Sequence, residues 1–350
     1  MRYLVFLCLL FLNWLAAGAE LKFGFGDLGA DGSLTNFHAE LFGNGGPVAW
    51  KLLAGEAPSA FASLTDPTKT MAGGGSVLAQ TSQDPTDERF PMFVYDGEKF
   101  RNFRLSTQFK LVSGVAEQMA GLVFRFQNTS NFYVVRVSGL GKNIRFYKVV
   151  DGVRSEPVGV TCEVTAGTWH QLAVGCDGNQ ITIWLDGRLA MPVLGDNTFA
   201  EGKVGFWTKS DAVTYFVNAV IDYTPIVPAA QVVLNSVLRQ QSRILDLQLC
   251  AMTTNQAAVV VAGKDPAARG EPGTEAELSA IRNGGAYFGR DHGAVIIVLP
   301  LHDRNGDVIG AAQFKLKSFL GETQNNALGR ATLLLKLVEG FGLSADDLSK

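Results

Sequence analysis

A series of short alternating segments between Ala120 and Tyr223 constrains the fold more than any other feature of this sequence. In each segment apolar and polar residues alternate, and turn residues such as Gly, Asp or Asn follow. Evenly spaced short strands with such turns are typical of an all-β sandwich. The segments are AGLVFRFQ (120–127), NFYVVRVSG (131–139), NIRFYKVV (143–150), WHQLAVGC (169–176), QITIWLD (180–186), GKVGFWTK (202–209) and TYFVNAVIDY (214–223).

The N-terminal residues 1–19 have the pattern of a secretory signal peptide. Arg2 precedes an apolar run from Tyr3 to Leu15, and Ala17-Gly18-Ala19 forms an A-x-A cleavage site. The run is shorter than the roughly 20 residues that a membrane-spanning helix needs, and an N-terminal anchor is the alternative. No later apolar run is long enough to span a bilayer. We therefore expect a secreted or periplasmic protein with no membrane span after signal cleavage.

The composition changes at 224–228, where Thr-Pro-Ile-Val-Pro forms a short, stiff linker. Domain boundaries favour such segments, so we predict a β domain over residues 20–224 and an α+β domain over residues 225–350. Asn305-Gly306 between two apolar alternating runs is a strong hairpin signal. The elements predicted for the second domain are a helix from 229 to about Met252, a strand at 257–263, a helix at 275–283, strands at 293–301 and 307–317, and a helix at 323–340.

Charge and cysteine content exclude several kinds of site. The formal net charge is −3, and nothing suggests the clustered basic surface of a nucleic-acid-binding protein. Cys162 and Cys176 flank a predicted hairpin, so they can form a disulfide in an oxidising compartment or remain buried thiols. Cys250 is expected in a helix as a small buried residue.

The segment 303–307 begins like a calcium loop, but Phe314 stands where a Glu ligand belongs. We predict no metal site and no cofactor.

The regular segments carry a family resemblance. AGLVFRFQNTSNFYVVRVSG, NIRFYKVVDGVR, GTWHQLAVGCDGNQITIWLDGRL and GKVGFWTKSDAVTYF resemble concanavalin A-like sandwich domains of the laminin-G and glycoside hydrolase 16 type. They are most similar to bacterial secreted domains described as 3-keto-disaccharide hydrolase-like. The resemblance implies a jelly-roll of two curved antiparallel sheets, with saccharides bound on the concave face. The acidic E-x-D-x-E strand of the catalytic members has no counterpart in this chain.

The C-terminal part, residues 228–350, resembles extracytoplasmic PAS-like domains of the Cache type. The resemblance rests on the order of predicted elements and on VLPLHDRNGDVIGAAQFKLKSF. It implies a small-molecule pocket on the sheet, although such domains usually sit beside transmembrane helices and none is predicted here. Three residues near the predicted hairpin can line such a pocket or form a plain loop: Tyr287, Arg290 and His292.

Polar side chains on successive predicted strands form the candidate saccharide site. Arginines inside alternating strands are expected to point away from the core, because a buried unpaired charge is costly. Arginine donors and aromatic faces suit sugar hydroxyls and apolar ring faces; the alternative is an ordinary solvated face. The predicted ligand-binding residues are Arg125, Gln127, Arg136, Arg145 and Tyr147, with Lys209 and Asp211 bordering the same groove.

No catalytic residue is predicted. Glycosidase chemistry needs two carboxylates about 5–10 Å apart, and the candidate acids Glu163, Asp211 and Asp222 show no recognisable pairing. Trp169 is expected to pack between the sheets, and His170 to lie at a strand edge.

The sequence therefore favours a secreted or periplasmic carbohydrate-binding protein with a small-ligand, sensor-like C-terminal module. A groove of Arg, Gln and Tyr without acids would favour this binding function. A paired-carboxylate cleft would favour a glycoside hydrolase-like enzyme acting through the sandwich. A broad exposed apolar patch would favour an extracellular adhesion or scaffold protein.

Overall fold

The computed structural model describes residues 18–23, 25, 34, 36–58 and 72–349. Most of the predicted signal peptide, residues 1–17, lies outside the described residues. The chain divides between Ile226 and Val227 into two compact units, and each is described by itself.

The described part of the first unit is made of strands joined by turns. In chain order they are β1 (Ala19–Phe23), β2 (Phe37–Gly43), β3 (Trp50–Pro58), β4 (Ala72–Gln80), β5 (Arg89–Phe100), β6 (Phe103–Ser113), β7 (Met119–Asn128), β8 (Asn131–Ser138), β9 (Asn143–Val150), β10 (Val153–Arg154), β11 (Val158–Thr161), β12 (Trp169–Asp177), β13 (Gln180–Leu185), β14 (Arg188–Leu189), β15 (Leu194–Gly195), β16 (Gly202–Trp207) and β17 (Val213–Tyr223).

These strands form two antiparallel sheets. Sheet 1 has the order β14-β13-β12-β6-β17-β4-β3, with β1 also paired to β17 and β15 to β13. Sheet 2 has the order β10-β9-β8-β7-β16-β5-β2, with β11 beside β9. The arrangement confirms the predicted all-β, concanavalin A-like sandwich.

The core of the sandwich lies between the inner faces of the two sheets and is rich in aromatic rings. Period-two alternation places Phe103, Leu105, Phe109 and Leu111 of β6 on the inner face, where all four are buried. Phe124 of β7 meets the same core from sheet 2. Burial of apolar surface between the sheets is the main stabilising term of such a fold.

Sheet 2 is strongly curved, and its outer face is concave. The rings of Phe42 on β2 and Phe132 on β8 lie 5.5 Å apart, edge to face. Three strands separate β2 from β8 in the sheet order, so a flat sheet would hold the two backbones about 19 Å apart at the usual strand spacing. Only a sheet curled toward its outer face brings these rings together.

The second unit is a five-stranded antiparallel sheet with helices on both faces. The sheet order is β19-β18-β22-β21-β20. A buried apolar cluster joins three of the helices, α1, α3 and α4, to one face, and a smaller cluster joins α2 to the other. The bounds are α1 (Ala229–Gln240), β18 (Ile244–Met252), β19 (Ala258–Gly263), α2 (Glu275–Asn283), β20 (Tyr287–Asp291), β21 (Ala294–His302), β22 (Val308–Lys317), α3 (Gln324–Glu339) and α4 (Ala345–Ser349). No helix in the described ranges is long and apolar enough to cross a membrane.

Local sequence signals account for the boundaries of α2 and for the β21–β22 hairpin. Thr274 and Glu277 form a capping box at the start of α2, and Gly284 ends the helix in the left-handed conformation. In the hairpin, Asp303 Oδ1 accepts the backbone N–H groups of Asn305 and Asp307 at 2.8 and 3.0 Å. This turn confirms the hairpin interpretation of a segment that begins like a calcium loop.

Two predictions for the second unit are wrong. The helix expected to reach Met252 ends at Gln240, and Ile244–Met252 is the strand β18, so Cys250 lies in a strand. Both faces of β18 are covered, because Leu247 and Leu249 face one buried cluster and Cys250 faces another. A strand covered on both faces loses its clear alternation and can be mistaken for a helix. The strand Tyr287–Asp291, which pairs with β21, was not predicted.

Trp169 is not the predicted core residue. Its ring is half-buried, with Lys110 Nζ 4.9 Å from the ring centroid. The inward positions of β12 are Leu172, Val174 and Cys176. Alternation from these residues turns Trp169 outward and its neighbour His170 inward.

We expect Phe124→Ala to lower the free energy of unfolding of the sandwich by about 3–5 kcal/mol, because it leaves a cavity between the sheets. Trp169→Ala should cost only about 1 kcal/mol, because it removes a partly exposed ring and one cation–π contact. Urea unfolding followed by circular dichroism would measure both. Equal losses in the two variants would contradict the assignment of Trp169 to the outer face.

We also predict that the two units fold independently. The main buried clusters of the sandwich contain only residues up to Ile221, and the main cluster of the second unit begins at Ala230. Fragments 20–226 and 227–350 should each be soluble and melt cooperatively. Aggregation of both fragments beside a soluble full chain would show instead that they stabilise each other.

Candidate functional site

The concave face of sheet 2 contains a pocket of about 90 Å³. Its wall combines aromatic rings, aliphatic side chains and three cations. The lining residues are Phe42, Phe90, Met119, Phe132, Val134, Arg136, Tyr147, Val149, Arg154, Trp207 and Lys209.

A stack of rings forms the apolar side of the pocket. Phe90 stacks on Trp207 with centroids 5.6 Å apart, and on Phe42 at the same separation. Phe132 closes the row by its edge-to-face contact with Phe42. All four rings project from the outer face of the sheet, so its curvature gathers aromatic surface from β2, β5, β8 and β16 into one wall.

Arg136 and Tyr147 lie on the opposite side, on neighbouring strands. Arg136 Nη2 donates to the Tyr147 hydroxyl at 3.1 Å, and Nη1 donates to Asn143 Oδ1. The guanidinium carbon of Arg136 lies 5.6 Å from the Tyr147 ring centroid. These contacts orient the guanidinium along the pocket wall.

Arg154 and Lys209 complete the cationic lining. The guanidinium carbon of Arg154 lies 5.2 Å from the Phe90 centroid and 5.4 Å from that of Tyr147. Lys209 Nζ donates to Asp87 at 2.6 Å and to Glu117 at 2.9 Å. Burial lowers the pKa of Lys209, but these two carboxylates raise it more, so the net pKa lies above its usual value and the amine stays charged.

Gly121 keeps the space between the two sides open. It stands between Arg136 and Trp207 across the strands β8, β7 and β16. A Cβ atom at this position would lie 2.9 Å from the Trp207 ring and 3.1 Å from the Cβ of Arg136. A side chain here would therefore collide with the indole of Trp207 and with the base of the Arg136 side chain.

The structure brings together three of the seven residues predicted for the sandwich: Arg136, Tyr147 and Lys209. Arg145 is the cross-strand neighbour of Arg136, but it does not line the pocket. Gln127 is exposed and donates to the backbone oxygens of Arg125 and Glu201, away from the pocket.

Arg125 does not lie on the concave face, and the expectation that it points away from the core is wrong. It is fully buried, with a φ of 47°, at an irregularity in the pairing of β7 with β8. Its guanidinium donates to the carbonyl oxygens of Phe199 and Gly178. A β-bulge adds one residue to a strand and reverses the alternation beyond it. Phe126 therefore takes the concave face in its place.

Asp211 has a structural role in the turn before β7. Its carboxylate accepts the backbone N–H groups of Val115, Ala116 and Glu117 at 2.6, 3.0 and 2.9 Å. Burial raises the pKa of Asp211, but the three N–H donors lower it more, so the net pKa lies below its usual range. With these bonds made, the carboxylate holds the turn before β7 and does not line the pocket.

The pocket contains no catalytic pair of acids. None of its lining residues is Asp or Glu.

The cysteines of the described chain, Cys162, Cys176 and Cys250, are free, so the possible disulfide between Cys162 and Cys176 is not formed. Burial raises the pKa of the Cys176 thiol to about 12. No group of three or more His, Cys, Asp or Glu residues within the described ranges is arranged to hold a metal ion.

The three residues predicted for a site in the second unit do not converge. Tyr287 and Arg290 lie three positions apart on β20 and therefore point to opposite faces. Arg290 donates to the backbone oxygen of Glu322 at 2.6 Å, and the His292 side chain is almost wholly exposed beside Asp291. A cleft of about 390 Å³ in this unit lies elsewhere, against α3.

Sequence reasoning missed Arg154 and the aromatic wall. Asp151-Gly152 is a turn signal, and the returning Val153-Arg154 pairs with Val150 and Val149, which places Arg154 beside the pocket. That signal was readable. Phe42 and Phe90 come from the irregular N-terminal segment, and only the curvature of the sheet brings them to the site.

About half of the sequence matches the model of a known family. Residues 49–221 match the profile of the family described as the 3-keto-alpha-glucoside-1,2-lyase-like domain. A search of curated proteins finds no match to the chain.

Several solved structures share a distant likeness to the sandwich. A carbohydrate-binding module, CBM66, from Bacillus subtilis is 18% identical with a TM-score of 0.38, over 49% of this chain and 94% of that one. A structure described as a native glycosidic hydrolase is 13% identical with a TM-score of 0.37, over 60% and 97%. A Caenorhabditis elegans galectin is 10% identical with a TM-score of 0.26, over 35% and 80%. The identities and TM-scores of these matches are low, so the fold assignment rests on the strand order of this chain itself.

Asp211→Asn should destabilise the sandwich by about 1–3 kcal/mol at pH 7, because an amide nitrogen cannot accept the backbone N–H groups that one carboxylate oxygen receives. The folded pKa is depressed, so this stability is present above the unfolded pKa of about 3.9 and is lost as the pH falls through the folded value. Thermal melts at pH 7 and pH 3 should show a difference from the wild type that shrinks in acid. Asp222→Asn, at an exposed position of β17, is the matched control and should change neither melt.

Proposed function

We propose that the sandwich binds a saccharide in the concave pocket of sheet 2, as a binding module and without catalysis by a carboxylate pair. The observation that carries the proposal is the meeting of an aromatic wall with three cationic side chains in one pocket. Binding sites for small ligands combine apolar walls with a few convergent polar groups in this way.

The two sides of the pocket match the two kinds of surface on a sugar. The aromatic wall of Phe42, Phe90, Phe132 and Trp207 offers apolar surface to the C–H groups of a pyranose or furanose ring. Arg136, Arg154 and the Tyr147 hydroxyl offer hydrogen-bond donors to its oxygens. The family profile matched by residues 49–221 is named for a glucoside, which supports a saccharide as the ligand class.

The name of that family also makes an enzyme the second candidate. A lyase-like or hydrolase-like reaction needs a general acid or base in contact with the sugar. Apart from Trp207, the lining side chains that carry exchangeable protons are those of Tyr147, Arg136, Arg154 and Lys209. Lys209 is held charged by Asp87 and Glu117, so it is a poor base, and we favour binding over chemistry.

We further propose that the second unit binds a small molecule, as a PAS-like or Cache-type module, and that the protein works outside the cytoplasm. The antiparallel five-stranded sheet with helices on both faces supports the first proposal. The cleft beside α3, lined among others by Arg243, Leu316 and Arg330, is its candidate site. The leader-like sequence of residues 1–19 supports the second proposal.

We expect Arg154→Ala to weaken saccharide binding by about 1–3 kcal/mol, because it removes a donor from the pocket. It should leave the melting temperature nearly unchanged, because Arg154 is exposed. A glycan array on the full chain would identify a ligand, and calorimetric titration would compare the variants.

Arg104→Ala is the matched control, because Arg104 is an exposed arginine over an aromatic ring, Trp184, on sheet 1. It should bind as the wild type does. Equal weakening in both variants would contradict a site on sheet 2. Conversion of the bound glycan into a smaller sugar during the titration would favour the enzyme.

A further inference from the structure

The charge of Arg136 is unusual for its surroundings. The residue is only 8% exposed, and its cross-strand neighbour on the same face is Arg145. Its hydrogen-bond partners are neutral, namely the Asn143 side-chain amide and the Tyr147 hydroxyl. Within the described part of the chain, Arg136 takes part in no ion pair, so nothing there neutralises its charge directly.

The other two cations of the pocket differ in this respect. Lys209 is bound by Asp87 and Glu117. Arg154 Nη2 lies 3.3 Å from Glu88 Oε1. Lys209 and Arg154 are thus each paired with a carboxylate. Arg136 is the lining cation that has no carboxylate partner among the described residues.

Burying a cation without a counter-charge disfavours the folded state, and like charges directly opposite on paired strands add to this cost. An anion placed in the pocket would relieve both effects. Arg136 is also equipped to receive one, because a guanidinium carries five N–H donors and its two bonds to Asn143 and Tyr147 use two of them. Bonds between an arginine and an anionic oxygen are among the strongest in proteins.

The dimensions of the pocket limit how much of a ligand can enter. Its volume of about 90 Å³ is well below the roughly 300–1,000 Å³ of pockets that enclose a drug-sized molecule. The contact between Phe42 and Phe132 bridges the concave face from the edge strand β2 to β8, four strand spacings away. A polysaccharide cannot lie along a groove that is bridged in this way, whereas the end of a chain can enter beside the bridge.

We propose that the pocket recognises the terminal unit of an acidic saccharide, with the anionic group of that unit on Arg136 and its ring toward the aromatic wall. This inference rests on the proposed saccharide-binding function and adds the charge and the position of the recognised unit. The anionic group is a uronic acid carboxylate or a sulfate ester, since both present the oxygens that a guanidinium binds.

The test is calorimetric titration of the full chain with matched sugars: galactose, galacturonic acid, the methyl ester of galacturonic acid and galactose 6-sulfate. The expected result is that an acidic sugar binds at least about 10-fold more tightly than galactose, the change expected for one charge-assisted hydrogen bond. The methyl ester should bind like galactose. The carboxylate and sulfate arms show which anionic group is preferred.

Arg136→Gln should abolish the preference for the acidic sugar, and the control Arg104→Gln should keep it. If Arg136→Gln does not fold, the comparison of acidic sugar with methyl ester on the unaltered chain still decides the question. The acidic preference should also weaken as salt is raised from 50 to 500 mM, a range of about one decade.

Three results would overturn the inference. Equal affinity for galactose and for both acidic sugars would exclude a preference for an anionic group, while the proposed saccharide binding would stand. Inorganic sulfate binding as tightly as galactose 6-sulfate would make the pocket a simple anion site. An affinity that rises with every added unit from di- to tetragalacturonic acid would show recognition along the chain and not at its end. Binding of no sugar in the glycan array would instead refute the proposed function on which the inference rests.

Discussion

The edge-to-face contact of Phe42 with Phe132 requires sheet 2 to bend through four strand spacings, and the pocket exists because of that bend. Without it, the rings of Phe90 and Trp207 would lie on an open surface, and Arg154 would not reach Phe90 from the far edge. The inner face of the same sheet must then be convex. Large rings such as Phe124 and Phe206 fill the space between this face and sheet 1.

The curved sheet contains irregular strand pairing. Both neighbours of β7 shift register against it, β16 between Lys203 and Gly205, and β8 after Phe124. Bulges of this kind increase local twist and redirect side chains. The redirected residue is Arg125, whose buried guanidinium binds the carbonyl oxygens of Phe199 and Gly178 and so ties sheet 2 to loops that follow strands of sheet 1. A residue that looked like part of a binding face is a structural cross-link.

The features that could be predicted from the sequence are those that depend on local patterns of residues. Alternation and turn residues are local, so the longer strands β7, β8, β9, β12, β13, β16 and β17 and the sandwich itself were predictable. Arg136 and Tyr147 share one sheet face, as the alternation predicts, because β8 and β9 pair without a bulge. The side of Trp169 was mistaken, although Leu172 and Val174 fix it by simple alternation.

The rest of the site depends on contacts between distant residues. Phe42 reaches the pocket only after the whole sheet has curled, and no local pattern encodes that approach. The strand Ile244–Met252 was mistaken for a helix because apolar clusters cover both of its faces, which removes the polar positions that would mark a period of two. The uncompensated charge of Arg136 could not be seen before its neighbours were known.

The pairing of the first strand with the last strand of the sandwich has a consequence for how the chain acquires this structure. Ala19 is paired with Tyr223 and Phe23 with Ala219, so the two partners are separated by about 200 positions, and contacts of such long range slow folding. During synthesis, β1 has no partner until β17 has emerged. Sheet 1 is therefore completed late. Until β17 has emerged, β1 stays unpaired and accessible to chaperones and other factors that bind nascent chains.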